Sequence, residues 1–407
     1  MEAWRISLKS WWGAVVAVFP VFMITRLIFL LLTYFGGILF SIPNDWPGSL
    51  SLHDVIYTWN RWDAAHFATI AAQGYVSQDD TSLFPLFPAL EHVLSVMTHK
   101  DILLCGMLIS NVAFLGTLLV FYRLVETEFD EVTARRAVVY LAIFPTALFF
   151  FAGYQESLFL FFMLLSFYAM RQGLWWLAGL FGGLATLTNF IGLFLLIIFL
   201  CEYARQSFPL FVDEWRKKRR GYAFTRLLSF FAVFLIPLGL GVYAYALSQR
   251  FSDPLAFIHT PLLARGTISP PWVAPLLALK FIMTAPRFGF FTLHNIIDLG
   301  ALLLFLILIA LALLGPERLA GNQWTFILFG FMVLCYALLF PVAPGTAAGL
   351  PYDPLLLMQR LVLEVFVGFI ILARLGRRPW FHHSYLILSS AFLAFFTLQF
   401  ITGHWAV

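Results

Sequence analysis

Long apolar runs recur along the whole chain, and short polar segments rich in basic residues separate them. Two of the clearest, Ile102 to Tyr122 and Leu227 to Leu247, contain no charged residue. Each exceeds the ~18 residues that a helix needs to cross a hydrocarbon core of ~30 Å. Because a bilayer interior offers no water to backbone polar groups, such runs must be helical. The pattern therefore predicts an all-α polytopic membrane protein.

The apolar runs predict about eleven transmembrane helices. We expect them near residues 11–36, 102–122, 137–153, 155–171, 174–188, 190–204, 227–249, 289–314, 323–341, 358–374 and 384–402. Basic residues mark one side of these spans as cytoplasmic; they are Arg5, Lys9, Arg123, Arg135, Arg136, Arg171, Arg374, Arg377, Arg378 and the run 216–220. This alternation requires residues 175–204 to cross twice and to turn near Thr188 and Asn189. A single long tilted helix is the alternative.

The same topology places three long loops outside, at residues 37–101, 251–288 and 342–357. Loops longer than ~15 residues often carry function. In the first loop, the mixed apolar and polar pattern of Leu52 to Ala72 predicts a helix lying along the membrane surface. We therefore expect a structured first extracytoplasmic loop and look for chemistry there.

Composition narrows the classes of function. Hydrophobic residues make up 61% of the 407 residues and charged residues 11%, with a formal net charge of +4. The apolar segments continue from end to end, which predicts a single membrane-embedded domain over residues 1–407. The basic residues form no face that could follow a nucleic-acid backbone, so we expect no nucleic-acid partner. The three cysteines lie in or beside apolar runs, as small core residues do.

Asp63 is the strongest catalytic candidate of the first loop. On a helix it shares a face with Phe67, and His66 follows at i+3. A carboxylate held in this way among aromatic residues is a candidate general base. An ordinary surface helix with exposed ion pairs is an equally good interpretation of the local pattern alone.

Three further polar positions lie near the outer ends of spans. Glu156 is expected at the start of a helix, where its charge need not be buried and where it complements the helix dipole. Asn189, with Thr186 and Thr188, suits interhelical hydrogen bonds better than substrate binding. Arg360 must find a partner or reach water, and a lipid phosphate would suit it. The sequence has no usable phosphate-binding loop, dinucleotide fingerprint or metal-ligand cluster, so we expect no cofactor and no metal.

Residues 59–88 carry a dense motif. It consists of Trp59-Asn60-Arg61-Trp62-Asp63-Ala64-Ala65-His66-Phe67-Ala68-Thr69-Ile70-Ala71-Ala72-Gln73-Gly74-Tyr75 followed by Leu83-Phe84-Pro85-Leu86-Phe87-Pro88. This motif closely resembles the signature of the PIG-V-like (GPI mannosyltransferase 2-like) family. Tyr154-Gln155-Glu156-Ser157 and Gly183-Leu184-Ala185-Thr186-Leu187-Thr188-Asn189 resemble two later family segments, with Asn189 where the family has Arg. Gln359-Arg360 is similar to a late family position.

The resemblance implies a GT-C glycosyltransferase fold and a sugar donor carried on a polyprenyl or dolichyl phosphate. It assigns the catalytic role to Asp63, here a general base in an inverting single displacement. Expected substrate-binding residues are Arg61, Trp62, His66, Tyr75, Glu156, Asn189 and Arg360, and Arg265 is a further cation for the phosphate. The acceptor is expected to be a lipid or glycan hydroxyl at the extracytoplasmic face.

Two alternatives stay open at this stage. One is a lipid or polysaccharide transporter, although the sequence shows no repeated halves of the kind that many transporters have. The other is a transferase of the same fold for another sugar. We expect an integral protein of a prokaryotic plasma membrane, or of the endoplasmic reticulum if the source is eukaryotic. Membrane lipids are expected partners, and a small membrane partner subunit is left open.

Overall fold

The computed structural model describes residues 2–41, 51–259, 268–287, 289–315, 317–341, 352, 354–355 and 358–404. Within them the protein is helical and forms no strand. The first nine α-helices are α1 (Glu2–Gly36), α2 (Leu52–Tyr57), α3 (Asp63–Gln73), α4 (Leu86–Thr98), α5 (Ile102–Glu128), α6 (Glu131–Ala142), α7 (Glu156–Arg171), α8 (Trp175–Thr188) and α9 (Leu195–Gln206). The next nine are α10 (Phe208–Arg216), α11 (Arg220–Phe230), α12 (Leu235–Phe251), α13 (Val273–Thr284), α14 (Phe290–Leu314), α15 (Trp324–Leu339), α16 (Met358–Leu361), α17 (Phe366–Leu375) and α18 (Pro379–Ile401).

In the part of the chain that the structure describes, six helical segments are long and apolar enough to cross a membrane. They are Trp11–Phe40, Ile102–Glu128, Phe190–Arg216, Arg220–Phe251, Phe290–Leu314 and Pro379–Ile401. Shorter apolar helices, among them α4, α8, α13, α15 and α17, accompany them. The polytopic, all-helical architecture is thus confirmed, and the count of about eleven spans stays a prediction.

The helices form two compact units, one of residues 1–74, 87–161 and 369–406, the other of residues 75–86 and 162–368. In the first unit, α1 packs against α5, α6 and α18, and α3 packs against α5. The fully buried Trp59 ties the first loop to this core, because its indole N–H donates a 2.9 Å hydrogen bond to the hydroxyl of Thr33 in α1.

In the second unit, glycines allow α8 and α12 to pack closely. A Cβ on Gly183 would collide with the carbonyl of Leu235, and one on Gly239 would collide with the carbonyl of Gly183. Small residues of this kind let membrane helices approach until their backbones touch. The Gly183 segment, which carries a family motif, therefore has a structural role in helix packing.

The predicted turn near Thr188 and Asn189 is confirmed as a helix break. α8 ends at Thr188, and Asn189 adopts an extended backbone conformation with φ −154° and ψ 141°. Its side-chain oxygen then accepts a hydrogen bond from the amide of Ile191, which caps the short 3₁₀ helix Phe190–Phe194 before α9. A single helix over residues 175–204 is excluded.

Three expected helices are interrupted. In the expected span 137–153, α6 ends at Ala142, and after a turn only the 3₁₀ helix Ala147–Phe150 follows. The surface helix expected over Leu52 to Ala72 is divided into α2 and α3, because the chain turns between them to bury Trp59. The expected span 358–374 is divided into α16, a 3₁₀ turn at Val362–Glu364, and α17. Because of the last two breaks, Asp63 begins α3, and Arg360 lies on α16, a helix of one turn.

Candidate functional site

Asp63 occupies the first turn of α3, where the partial positive charge of the helix dipole interacts favourably with a carboxylate. It is partly exposed, whereas Phe67 on the following turn is fully buried and packs edge-on against Phe87 at 5.0 Å. His66 is exposed. The apolar face of α3 is therefore anchored in the core, and its first turn presents the carboxylate at the edge of that core.

The residue before Asp63 has a rare backbone conformation. Trp62 has φ 46° and ψ −121°, in the region that favours glycine and costs a bulky side chain about 1–3 kcal/mol. Its ring packs against Phe400 of α18 at 5.0 Å. Such conformations persist when surrounding contacts hold them in place, and they cluster at functional sites.

Aromatic packing around Trp59 supports this turn. Its ring lies 4.9 Å from Phe151, 5.3 Å from Phe400 and 6.2 Å from Phe29. Preferred aromatic geometries of this kind add about 0.5–1.5 kcal/mol per pair beyond simple burial. Most aromatic residues of the sequence motif thus build the scaffold, while Asp63 and its neighbours remain at its edge.

A hydrogen bond connects this turn to the start of α7. The hydroxyl of Tyr154 donates to the backbone carbonyl of Arg61 at 3.2 Å. The backbone of Tyr154 is itself held by the hydroxyl of Ser110, which donates to its carbonyl at 2.6 Å and accepts from its amide at 3.2 Å. The Tyr-Gln-Glu-Ser motif and the Asp63 motif, far apart in sequence, therefore meet in the first unit.

Glu156 begins α7, as expected, but its charge is buried, contrary to the expectation that it would lie free at a helix end. It is 3% exposed. The segment before α7 is packed into the first unit by the hydrogen bonds of Tyr154 and Ser110. The first turn of α7 is therefore shielded from water. A buried carboxylate needs polar partners, which makes Glu156 more than a simple helix cap.

Arg61 is half-buried, and its guanidinium lies beside Gly403, so that a Cβ there would come within 3.3 Å of it. No ion pair of Arg61 is found among the described residues. Arg265, the other candidate cation, lies outside the described residues.

Tyr75, Asn189 and Arg360 belong to the second unit. The hydroxyl of Tyr75 donates to the carbonyl of Leu83 at 2.7 Å, and burial raises the pKa of this phenol. This tyrosine shapes the end of the motif loop. Its ring lies 5.8 Å from that of Tyr243, in a cluster that includes Phe84 and Phe257.

Asn189 makes an interhelical hydrogen bond, as the sequence predicted. Its amide donates to Glu364 at 3.3 Å. Glu364 ends the 3₁₀ turn that follows α16, and Arg360 lies in α16 with 9% of its surface exposed. The second unit thus places Asn189 and the Arg360 segment in contact through Glu364.

The sequence analysis missed several buried polar residues. In the first unit these are Glu91 and Arg26; in the second they are His294, Asn295 and Asp298. Ionisable residues inside an apolar run, as in Phe290–Leu314, were the available signal. Among the described residues, no group of three or more His, Cys, Asp or Glu side chains could hold a metal ion.

A family model described as mannosyltransferase (PIG-V) matches residues 42–273, more than half of the chain. The chain belongs to the PIG-V mannosyltransferase family. The matched region contains Asp63, Glu156 and Asn189, whereas Arg360 lies beyond it. The resemblance drawn from the motifs is therefore confirmed.

Curated relatives agree with this membership. The chain is 26% identical to GPI alpha-1,6-mannosyltransferase 2 of Mus musculus over 238 residues, which cover 52% of this chain and 47% of the mouse protein. It is 30% identical to GPI alpha-1,6-mannosyltransferase 2 of Cricetulus griseus over 139 residues, which cover 31% of this chain and 28% of that protein. The matches thus span less than half the length of either relative.

The fold resembles that of ArnT from Cupriavidus metallidurans, whose crystal structure is described as bound to undecaprenyl phosphate. The TM-score is 0.51 at 13% sequence identity, and the alignment covers 90% of this chain and 62% of ArnT. This likeness confirms the expected GT-C fold.

Proposed function

We propose that this protein is an integral membrane mannosyltransferase that uses mannose carried on a polyprenyl or dolichyl phosphate. The acceptor is a hydroxyl group of a lipid-linked or glycan molecule at the extracytoplasmic face. The observation that carries the proposal is membership of the PIG-V mannosyltransferase family through a region that includes Asp63. The apolar helices long enough to cross a membrane support a lipid-borne substrate.

The proposed chemistry is a single displacement with inversion. The acceptor oxygen forms a bond to the anomeric carbon, the bond between that carbon and the phosphate oxygen breaks, and Asp63 accepts the hydroxyl proton. The leaving group is a lipid phosphate, a stable anion that needs no general acid, so one carboxylate suffices. The location of Asp63 in the first turn of α3, at the edge of a rigid aromatic core, suits this role.

The phosphate needs cationic groups to stabilise the charge that develops on it. Arg360 is the main candidate, since a guanidinium can contact two phosphate oxygens at once. Arg61, two residues before Asp63, is the second. Trp62, His66, Tyr75, Glu156 and Asn189 remain proposed substrate-binding residues.

Family membership favours a transferase over the transporter alternative. Transfer of a different sugar by the same fold is the remaining competitor. The prokaryotic plasma membrane, the single domain, the metal-free mechanism and a small partner subunit stay predictions.

The test is transfer of radiolabelled mannose from synthetic polyprenyl-phosphate mannose to a membrane lipid extract. Purified wild type is compared with Asp63→Asn at equal amounts of folded protein. Asp79→Asn is the matched control, because Asp79 is an exposed carboxylate of the same loop. We expect the control to transfer label like wild type and Asp63→Asn to be slower by at least about 100-fold, the usual contribution of a general base.

The other possible results of this transfer assay separate the role of Asp63, the identity of the sugar and the class of enzyme. Equal transfer by wild type and Asp63→Asn would exclude Asp63 as the base. Transfer of glucose or arabinose from the corresponding lipid phosphates, with none of mannose, would replace the sugar and keep the enzyme class. No transfer of any sugar would overturn the proposed function of the purified chain.

A further inference from the structure

The segment that carries Arg360 is held by two polar side chains of α14. Asn295 and Asp298 lie three residues apart and therefore on one face of this helix. Both are fully buried. Neither residue lies in the region matched by the family model, and the motifs discussed above do not include them.

The two side chains bind the backbone at different points, one at Tyr352 and the other at Gln359. The amide of Asn295 donates to the carbonyl of Tyr352 at 2.9 Å. The carboxylate of Asp298 accepts a 2.9 Å hydrogen bond from the backbone amide of Gln359, the residue directly before Arg360. Because α16 has only one turn, its own hydrogen bonds do little to fix it, and contacts from outside the helix, such as these two, contribute to its position.

His294 completes the arrangement one turn earlier on α14. Its Nδ1 lies 3.3 Å from the carboxylate of Asp298, and its Nε2 lies 3.4 Å from the side-chain amide of Gln359. A neutral imidazole with its proton on Nδ1 donates to Asp298 and leaves Nε2 to accept from Gln359. Gln359 is thus held by both its backbone and its side chain.

Buried polar groups of this kind are costly unless they are hydrogen-bonded, so their presence in an apolar helix indicates a purpose beyond packing. Leu or Ala at these three positions would bury apolar surface without that cost. What the polar residues add is directional contact with the backbone before and within one short helix, and Arg360 lies on that helix.

We propose that Asn295 and Asp298 are positioning residues that hold Arg360 in place to bind the phosphate of the lipid carrier. The inference rests on the proposed function, because the lipid phosphate is taken from the proposed donor. The residues act through the backbone at Tyr352 and Gln359 and do not touch the phosphate themselves. A guanidinium fixed in this way loses less conformational freedom on binding, which raises affinity.

The test measures binding of radiolabelled undecaprenyl phosphate to the full-length protein in detergent, without any transfer reaction. The variants are Arg360→Ala, Asn295→Ala, Asp298→Ala and Asp298→Asn, followed by Asn295→Ala combined with Arg360→Ala. Asn111→Ala is the matched control. Like Asn295, Asn111 donates through its side-chain amide to the backbone carbonyl of a separate segment, here at Phe151, and it also donates to the carbonyl of Met107. Thermal unfolding confirms that each variant is folded at the temperature of the assay.

We expect Arg360→Ala to raise the dissociation constant by about 10- to 100-fold and Asn295→Ala by about tenfold. In the Arg360→Ala background, the Asn295→Ala change should have no further effect, because the residue acts through Arg360. Asp298→Asn keeps an acceptor oxygen for Gln359 and should bind more tightly than Asp298→Ala. Asn111→Ala should bind like wild type.

The remaining outcomes overturn the inference in distinguishable ways. If Arg360→Ala weakens binding but Asn295→Ala and Asp298→Ala do not, the positioning role is wrong and the proposed function is unaffected. If Asn295→Ala weakens lipid-phosphate binding by the same factor in the wild-type and the Arg360→Ala backgrounds, its effect is a general structural one. If wild type does not bind the lipid phosphate, the proposed donor class and the inference both fail.

Discussion

The hydroxyl of Tyr154 donates a hydrogen bond to the backbone carbonyl of Arg61 across 93 residues of sequence, at a distance of 3.2 Å. Arg61 lies two residues before Asp63, so this bond joins the start of α7 to the turn that presents the proposed base. Two motifs that are separate in the sequence are thus joined in the structure.

Removing that hydroxyl should disturb the position of Asp63. We expect Tyr154→Phe to lower kcat by about 3- to 10-fold with little change in KM, because a net hydrogen bond contributes about 0.5–1.5 kcal/mol. Steady-state kinetics of mannose transfer measure both constants. Tyr140→Phe is the control, since the Tyr140 hydroxyl pairs instead with His382. Unchanged kcat in Tyr154→Phe would show that the bond does not position the base.

The backbone conformation of Trp62 predicts an unusual preference for glycine. Both Trp62→Gly and Trp62→Ala remove the ring contact with Phe400, but only alanine keeps a Cβ at φ 46°. We expect the glycine variant to be the more stable by about 1 kcal/mol, measured by thermal unfolding in detergent. At Trp12, an exposed position within α1, the order should reverse, with alanine more stable by about 0.5–1 kcal/mol. The same order at both positions would contradict the strained turn.

Glu91 should make the protein less stable at higher pH. Burial in α4 raises the pKa of its carboxyl from an ordinary value of 4.5 to about 9. The folded protein therefore keeps the proton above pH 4.5, where the unfolded chain releases it. The contribution of Glu91 to the free energy of unfolding is fully present below pH 4.5. It falls by up to about 1.4 kcal/mol per pH unit as the pH rises to about 9.

The Glu91→Gln variant cannot ionise and should remove this slope. Thermal midpoints measured from pH 5 to pH 9 should decline for wild type and decline less for Glu91→Gln. Glu131→Gln, at an exposed glutamate of α6, should keep the wild-type slope. Parallel curves for wild type and Glu91→Gln would refute a buried, protonated Glu91.

The carboxyl of Glu91 lies directly against Gly106 of α5, in the space that a Cβ would occupy. We expect Gly106→Ala to reduce the free energy of unfolding by about 1–3 kcal/mol through overpacking. In a Glu91→Ala background the same change should cost much less, and a double-mutant cycle measures the difference. Gly300→Ala, where a Cβ would meet no atom within 4 Å, is the control and should be close to neutral. Additive effects of the two substitutions would contradict the contact.

The sequence by itself determined the features that depend on local composition and period. Apolar runs identified the helices, because a bilayer-spanning segment must be both apolar and helical. The alternation of basic segments predicted the break between α8 and α9, and the 59–88 motif identified the family and Asp63. Each of these signals can be read along the chain without knowing which distant residues meet.

Only the tertiary structure decided which polar groups are buried and what holds the candidate site residues. The division of α2 from α3 follows from the burial of Trp59 against α1 and α18. The burial of Glu156, the contact between Glu91 and Gly106, and the attachment of the Arg360 segment to Asn295 and Asp298 join residues distant in sequence. Hydrogen bonds and close packing between distant segments leave no period in the chain, so a linear pattern cannot reveal them.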